Sequence, residues 1–379
     1  MNCTRPDERT GVHPQNRKIV RQDMNITRNM TLALLMAVAL GAQAQTEVAP
    51  FVPGSTLEGI SYFLPRTVFR VTVKADKTVT RPGDFHKYAE RYLHLKNVPA
   101  TESVHWEIKS VTLEPYGVPD KTKAYSIRLK SKTVAPLVGL SRDGILLSIN
   151  TDAEETALPA LPQPSQDPAP ADPRSFMTQE ILAAGSVAKM AELCAQEIYD
   201  IRESRNALVR GEADNTPKDG AQLQLMLSQL ARQDQALTSL FAGTTHTTHE
   251  VFSMTYDPTQ ETERDILFRF SRKLGVVDAD DLAGDPVYVR VKCTETLPAP
   301  VVDEQVAKKK AKMEKGVYYN VPVRARLTVY DSDREYCTLE TPMGQFGRVE
   351  ILSHLLFDKK TTTKVTFFQS TGGTKDVME

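Results

Sequence analysis

The sequence is poor in cysteine and tryptophan and carries almost no net charge. Four cysteines and one tryptophan occur among 379 residues, and 47 Lys and Arg residues stand against 48 Asp and Glu residues. A nucleic-acid partner requires a basic field, so this balance argues against one. No apolar run reaches the ~20 residues that a membrane-spanning helix needs. The charge and hydropathy patterns therefore predict a globular protein without a transmembrane segment.

Motifs of common catalytic and cofactor sites are also missing. The sequence has no glycine-rich phosphate loop, no Gly-x-Ser-x-Gly elbow, no His-Glu-x-x-His and no dinucleotide-binding fingerprint. No Cys-x-x-Cys occurs, so neither a zinc motif nor a redox motif is indicated. We therefore predict no catalytic residues and no cofactor, and we favour a protein that is not an enzyme.

An apolar run that begins at Thr31 has the layout of a secretory signal peptide. Cationic residues precede it, residues 32–42 form its apolar centre, and Ala42-Gln43-Ala44 is a small-x-small cleavage site. Because the lead of a signal peptide is normally short, we take Met24 as the translation start; a genuine long leader is the alternative. Residues 1–44 are thus expected to be leader and signal peptide. The expected location is the periplasm or the outer membrane surface.

Three cysteines follow the predicted cleavage site: Cys194, Cys293 and Cys337. An odd number in an oxidising compartment leaves at least one thiol unpaired. Residue alternation places Cys293 and Cys337 on the inward faces of predicted strands. The two either form a disulfide or remain buried free thiols, and we favour free thiols because unpaired cysteine is among the most buried residue types.

Periodicity and proline content divide the remaining chain into alternating structured segments and linkers. We predict an N-terminal β domain at 45–157, a Pro-rich linker at 158–173, a helical hairpin at 174–243, a β segment at 244–295, a charged linker at 296–316 and a C-terminal β domain at 317–379. The sequence leaves open whether the last segment is a separate domain or completes a sandwich begun at Thr245.

The predicted fold class is α+β, with antiparallel, sandwich-like β domains and a central long αα-hairpin. Asp172 and Pro173 are suited to begin the first helix, Gly211 to end it, and Asp219 to cap the second. A helix from Asp172 to Gly211 would be ~50 Å long. In the β regions, Asp143-Gly144 predicts a hairpin turn, and a short helix is expected within 82–95.

One acidic cluster is a candidate metal site. Asp278, Asp280, Asp281 and Asp285 lie within a short predicted turn. Calcium binds several carboxylates on such loops. The spacing of the EF-hand loop is absent, because Gly284 falls at the seventh place and not the sixth. We therefore predict a weak calcium site, with a solvated turn as the alternative.

Three other patterns have an ordinary structural explanation, which we favour. Ser186 and Lys189 match the Ser-x-x-Lys motif of penicillin-recognising enzymes, but the companion Lys-Thr-Gly is missing. His246 and His249 are three residues apart in a predicted strand, so they face opposite sides and cannot share one metal. Trp106 shares its strand face with apolar neighbours, so it is expected in the core and not in a sugar-binding surface.

Four stretches of sequence resemble one protein family. They are YFLPRTVFRVTV from Tyr62, KMAELCAQEIYDIRESRNALVRGEADNTPKDG from Lys189, FRFSRKLGVVDADDLAGDPVYV from Phe268 and FGRVEIL from Phe346. The family is one of uncharacterised secreted cell-envelope proteins from Bacteroidota-type bacteria, known as a domain of unknown function. The resemblance runs from about Tyr62 to the end of the chain. It implies an envelope location and no known enzyme activity, and it supplies no catalytic residues.

The leading functional hypothesis is a non-enzymatic binding or scaffold component of the bacterial cell envelope. Its expected partner is another envelope protein, contacted through the helical hairpin. The alternative is a periplasmic hydrolase that acts on glycan or peptide. Outer-membrane association through the hairpin ranks last, because its helices lack the Lys/Arg-rich polar face of interfacial helices. The sequence leaves the ligand and the oligomeric state open.

Overall fold

The computed structural model describes residues 47–50, 59–128, 137–169, 171–214, 219–298, 316–353, 356 and 363–378. The predicted signal peptide therefore lies outside the described residues. Within them the chain forms three antiparallel sheets and four α-helices. The predicted combination of antiparallel sheets and helices is confirmed at this level, and the fold is rich in β-structure.

The strands of the described residues range from two to 26 residues in length. In chain order they are β1 (Glu47–Pro50), β2 (Ile60–Arg81), β3 (Ser103–Arg128), β4 (Val138–Leu140), β5 (Leu146–Ile149), β6 (Ser165–Gln166), β7 (Thr244–Tyr256), β8 (Thr262–Ser271), β9 (Gly275–Val277), β10 (Asp285–Cys293), β11 (Gly316–Tyr330), β12 (Glu335–Ser353), β13 (Lys364–Phe367) and β14 (Thr374–Met378).

These strands form three sheets, which we number for reference. The first sheet has the order β1-β3-β2-β7-β6, the second has the order β12-β11-β10-β8-β9, and the third has the order β14-β13-β5-β4. The predicted hairpin at Asp143-Gly144 is confirmed: β4 and β5 pair across this turn, where Gly144 has a φ of +82°.

The helices are α1 (Ala89–Leu93), α2 (Gln179–Leu182), α3 (Val187–Arg210) and α4 (Gly220–Ala242). Two 3-10 turns, His86–Tyr88 and Pro173–Phe176, precede α1 and α2. The first turn and α1 together confirm the short helix expected within 82–95. Among the described residues, no helix is both long and apolar enough to cross a membrane.

The first and second sheets pack face to face around the largest apolar core. Strand alternation turns Phe69, Val71 and Val73 of β2 inward, and all three are fully buried. They meet Val289 and Leu327, which the second sheet buries from the other side. Each such side chain contributes about 1.5–3 kcal/mol on burial. The two antiparallel sheets thus share one buried apolar core.

A second core joins the third sheet to the opposite end of the long strands. Tyr62 of β2, Ile149 of β5, Val317 of β11 and Phe367 of β13 are buried together. The hydroxyl of Tyr62 accepts a hydrogen bond from the backbone N–H of Tyr318 at 2.9 Å and donates to its carbonyl oxygen at 3.3 Å. One side chain therefore fastens the first sheet to the second.

Asn320 occupies the point where the two cores meet. Its side-chain amide donates to the carbonyl oxygens of Pro65 and Thr371, each at 2.8 Å. The residue is fully buried, and its Oδ1 atom has no hydrogen-bond partner within the described structure. Buried polar groups normally have hydrogen-bond partners. The Asn320 amide links the backbone at Pro65 to that at Thr371 through its two bonds, so we expect this position to tolerate little change.

The sheets do not follow the predicted domain boundaries. Strand β5, from the predicted N-terminal β domain, pairs with β13 of the predicted C-terminal β domain. Strand β7 pairs with β2, and the predicted Pro-rich linker contributes β6 to the edge of β7. These pairings join segments that the sequence analysis placed in different regions of the chain. Hydrophobic periodicity identifies strands but does not reveal which distant strand each one pairs with.

The first predicted helix is divided into three shorter helical elements. Asp172 caps only the 3-10 turn, Thr178 caps α2, and Ser186 caps α3 with its hydroxyl. At 1.5 Å per residue, α3 is ~36 Å long, shorter than the ~50 Å expected from the sequence. The break falls at Gly185, a residue with poor helix propensity and no neighbour within 4 Å of its Cβ position.

Candidate functional site

The candidate site lies on the helical unit, which we define as residues 82–98 and 173–242. Both long helices have well-formed ends. Gly211 ends α3 in the left-handed conformation, with its N–H and that of Glu212 bonded to carbonyls of the last turn. Asp219 caps α4 by accepting from the N–H of Ala221 at 3.1 Å. These ends match the predicted helix boundaries. The connection at 215–218 lies outside the described residues.

The basal half of the helical unit is fixed to the first sheet. Phe85, Cys194, Ile198 and Phe241 form its buried core. The N–H of Phe85 donates to the carbonyl of Leu240 at 2.6 Å. Helix α4 leads directly into β7, whose first residue pairs with the last residue of β2. The base of the unit is therefore a continuation of the sheet and not a tethered module.

A half-buried ion pair joins the two long helices near their middle. The guanidinium of Arg202 on α3 lies 2.9 Å from a carboxylate oxygen of Asp234 on α4 and donates to Thr238 at 3.2 Å. The hydroxyl of Thr238 in turn donates to Asp234 at 3.1 Å. This small network fixes the relative register of α3 and α4 through directional contacts, which apolar packing alone does not provide.

The distal half of the helical unit is packed much less completely. Leu223, Leu227 and Leu230 of α4 are only half-buried, and Leu225 and Met226 are 60% and 38% exposed. A single soluble domain ordinarily buries side chains of this size or scatters them on its surface. Leu225, Met226 and Leu230 lie on one side of α4 and form an apolar strip, the usual mark of an interaction surface.

The apolar strip lines an open groove of about 720 Å³ between the two helices. Leu208 of α3 forms part of the floor and is 7% exposed. Glu212 and Asp214, both exposed, stand at the end of the groove. The groove therefore combines an apolar floor with an acidic end, and the described residues around it include no nucleophile–base pair.

The four predicted calcium residues lie on an exposed turn that runs from β9 into the start of β10. Asp278, Asp280, Asp281 and Asp285 are all exposed, and Asp281 accepts from the backbone N–H of Ala283 at 2.9 Å. Among the described residues, no group of three or more His, Cys, Asp or Glu side chains is placed to hold a metal ion. The geometry adds no support to the calcium prediction, which stays a prediction.

The Ser-x-x-Lys pair has a structural role. Ser186 accepts from the backbone N–H of Lys189 at 3.2 Å, as a helix cap does, and the ammonium of Lys189 lies 3.0 Å from Glu192. The ammonium of Lys189 is therefore paired with Glu192, and the hydroxyl of Ser186 serves as a helix cap. This arrangement agrees with the structural explanation given to the motif.

The two histidines of β7 also have separate roles. His246 and His249 lie three residues apart in the strand, as expected. Nδ1 of His249 lies 2.7 Å from Asp76 and its Nε2 lies 3.7 Å from Asp167. The hydrogen bond to Asp76, together with both neighbouring carboxylates, raises the pKa of His249. The imidazole thus bridges two acidic residues.

Trp106 is a core residue, as predicted, and it borders a cleft. The side chain is 8% exposed and packs on Phe252, with 6.0 Å between ring centroids. The cleft has a volume of about 390 Å³ and contains Asp331. Although burial opposes ionisation, hydrogen bonds from Tyr336 and two backbone N–H groups lower the pKa of Asp331. A glycosidase acid needs a raised pKa, and Asp331 does not meet that requirement.

All three described cysteines are free thiols. Cys293 and Cys337 lie on β10 and β12, with β11 between them, so they do not form the disulfide left open by the sequence. Burial raises the pKa of Cys194 to about 12 and that of Cys293 to about 11. Because the thiolate is the reactive form, these thiols are inert near neutral pH.

The apolar strip contains one residue that helical spacing alone does not identify. Leu223, Met226, Leu227 and Leu230 recur at helical spacing and form one stripe of α4, and Leu225 lies outside that stripe. A large apolar residue outside the stripe is the available signal for a second apolar face. The half-burial of the stripe itself depends on how closely the helices approach, and periodicity does not report that distance.

Fold and site together define a β-rich protein with a helical unit whose distal end is apolar and open. The chain belongs to the family described as domain of unknown function (DUF4831), and the match covers residues 58–375. No curated protein and no solved structure matches the chain.

Proposed function

We propose that this protein is a non-enzymatic binding or scaffold component of the bacterial cell envelope. In this proposal α3 and α4 form an αα-hairpin, and its distal end contacts another envelope protein. The contacts along the helices support the hairpin: the end of α3 and the start of α4 line one groove, and their opposite ends share one core.

The observation that carries the proposal is the change in burial along the helical unit. Near the sheet, Leu237 of α4 is fully buried, whereas at the distal end Leu225 is 60% exposed. Burial of such a side chain is worth about 1.5–3 kcal/mol. A partner that covers Leu225 and Met226 would recover this free energy, and central apolar contacts of this kind dominate many protein interfaces.

The groove favours one kind of occupant, an amphipathic helix of a partner protein. Helix-in-groove recognition uses an elongated apolar floor between two helices, which Leu208, Leu225 and Met226 provide. Glu212 is paired with Arg210 at 3.4 Å, so Asp214 is the carboxylate at this end that favours a helix carrying Lys or Arg beside its apolar face. This preference gives the interaction a charge requirement that a purely apolar contact would not have.

Location in the envelope is part of the proposal and rests on the signal-peptide pattern of residues 1–44. Fractionation of cells that produce the protein naturally would locate it. We expect the full chain to lose its N-terminal segment and to appear with the periplasmic or outer-membrane fraction. Recovery of intact Met1 on the exported protein, or of the protein in the cytoplasm, would refute this location.

Site-directed photo-crosslinking tests the interaction. A photoreactive residue at Gln229, beside the groove, should give a discrete protein adduct in living cells. The Leu225→Asp/Met226→Asp variant should lose the adduct, with at least about a tenfold fall in affinity per side chain. Leu282→Asp is the matched control, because Leu282 is 83% exposed on a turn of the second sheet. An adduct that survives the double variant, or the absence of any adduct, would contradict the proposal.

A further inference from the structure

The outer face of the second sheet combines cationic and aromatic side chains on three adjacent strands. Strand alternation buries Val287, Val289 and Val291 of β10 and turns the residues between them outward. The set consists of Arg264 on β8, Tyr288, Arg290 and Lys292 on β10, and Arg326 and Tyr330 on β11. We name these six residues the basic-aromatic face.

The residues of this face are in register across the sheet. Tyr288 lies opposite Tyr330, and Lys292 lies opposite Arg326. Tyr330 lies four residue steps along β11 from Arg326, so the face extends ~14 Å along the strands, and it extends ~10 Å across them. The result is a flat, elongated surface suited to an extended ligand, in contrast to the enclosed pocket that a small molecule requires.

Stacking contacts hold the aromatic and cationic groups of the face in place. The guanidinium of Arg264 lies 4.2 Å from the ring centroid of Tyr288, and that of Arg290 lies 4.9 Å from that of Tyr330. The two tyrosine rings are 5.7 Å apart. The hydroxyl of Tyr330 crosses β10 to donate to the carbonyl of Glu263 on β8 at 3.1 Å, so its ring lies along the sheet.

The face carries more positive than negative charge. Glu263 is shared by Arg290 at 3.4 Å and Lys292 at 2.6 Å, and Glu340 pairs with Arg326 at 3.1 Å. Its four cations are thus opposed by these two carboxylates, and Glu261 adds a third negative charge close to Lys292. The whole chain has a net charge of -1, so the excess of positive charge on this face is local.

We propose that the basic-aromatic face binds an acidic polysaccharide. Arginine is planar and weakly hydrated, and it recognises carboxylates with two parallel hydrogen bonds. Tyrosine offers a flat apolar ring with a polar end, which matches the alternating apolar and hydroxyl surfaces of a sugar. A polymer with regularly spaced carboxylates would meet both groups in turn along the face.

Charge distinguishes this ligand from a nucleic acid. Binding to a phosphate backbone depends on neutralising many closely spaced charges with a strongly basic surface. The local excess here is small, because Arg290, Lys292 and Arg326 already pair with Glu263 or Glu340. A uronate polymer has a lower charge density and also needs hydroxyl and ring contacts. The basic-aromatic face includes no residue of the helical unit, so failure of this proposal and failure of the proposed function can be distinguished.

Binding of the full chain to polygalacturonate tests the proposal. We expect binding at about 50 mM NaCl that weakens strongly at about 500 mM, and no binding to neutral dextran. Arg264→Gln/Arg290→Gln should weaken affinity by at least about tenfold. Arg290→Lys, which keeps the charge but loses the planar fork, should also weaken it. Lys273→Gln, at an exposed turn of the same sheet, is the matched control.

Each outcome of the measurement decides the proposal. Lack of binding by the unmodified chain would overturn it, as would equal binding by the double variant. Equal or tighter binding of single-stranded DNA would assign the face to nucleic acid and would also overturn it. The cations are exposed or half-exposed, so unchanged thermal unfolding should show that the variants remain folded. A Tyr330→Phe variant, which keeps the ring, should retain most of the affinity.

Discussion

Replacement of Gly275 by alanine tests how the first and second sheets are fitted together. Gly275 begins β9 with a φ of +86°, and a Cβ atom at this position would lie 2.9–3.1 Å from three ring atoms of Trp106. The substitution therefore has two costs. The positive φ costs an L-residue about 1–2 kcal/mol, and forcing the buried indole to move costs about 1–3 kcal/mol more.

A matched substitution separates these two costs. Gly211 has a similar φ of +71°, but its Cβ position has no neighbour within 4 Å. Gly211→Ala should therefore cost only the backbone component, about 1–2 kcal/mol. Gly275→Ala should cost about 2–5 kcal/mol in total. The difference between the two variants measures the steric contact with Trp106.

The assay uses the intrinsic fluorescence of the chain. Trp106 is the single tryptophan, so its emission reports the environment of one side chain. We expect Gly275→Ala to lower the urea midpoint and to shift the native emission to longer wavelength, because the displaced ring gains contact with water. Gly211→Ala should leave the native emission unchanged. Equal destabilisation by both variants, with unchanged emission, would refute the proposed fit between Gly275 and Trp106.

Three further substitutions probe single contacts. Asn320→Ala removes both amide hydrogen bonds at the joint between the cores and should lower the free energy of unfolding by about 2–5 kcal/mol; an unchanged urea midpoint would contradict that role. Tyr62→Phe should cost about 1–2 kcal/mol and leave the second core packed, which the melting temperature and near-ultraviolet circular dichroism would report. Because the folded pKa of His249 is raised, its stabilising contacts are present below about pH 6.5 and are lost as the pH rises through the folded pKa. Asp76→Asn should lower that pKa in an NMR titration, and no change would be evidence against the ion pair.

Local features of this fold were predictable because they depend on neighbouring residues. Asp219 caps α4 and Gly211 ends α3 for reasons of hydrogen bonding and φ that the sequence contains. The same holds for Trp106, whose apolar neighbours at spacing two predicted an inward orientation. Such features need no knowledge of the rest of the chain.

Long-range features were not predictable in the same way. The pairing of β5 with β13 joins segments that the sequence analysis assigned to different domains. Residue alternation predicts which face of a strand points inward, but it does not predict which other strand pairs with it. For the same reason, periodicity could not show that Met226 and Leu230 lie where α3 and α4 leave a groove. The break before Ser186 has one local signal in the sequence, which is Gly185. Glycine is a weak helix former and Ser186 is a good helix cap, but the apolar stripe of the predicted helix continues past both residues.

The hydrogen bonds of Tyr62 impose a timing constraint on folding. The tyrosine and its partner Tyr318 are 256 residues apart in sequence. Closing so long a loop has an entropic cost, and the chain loses this entropy before the contacts of the second core can form. Folds dominated by contacts of this kind form slowly. While the chain is being synthesised, the apolar face of the first strands stays exposed until β11 has been made. The early segment is therefore expected to depend on chaperone protection, and a chain truncated before β11 should aggregate.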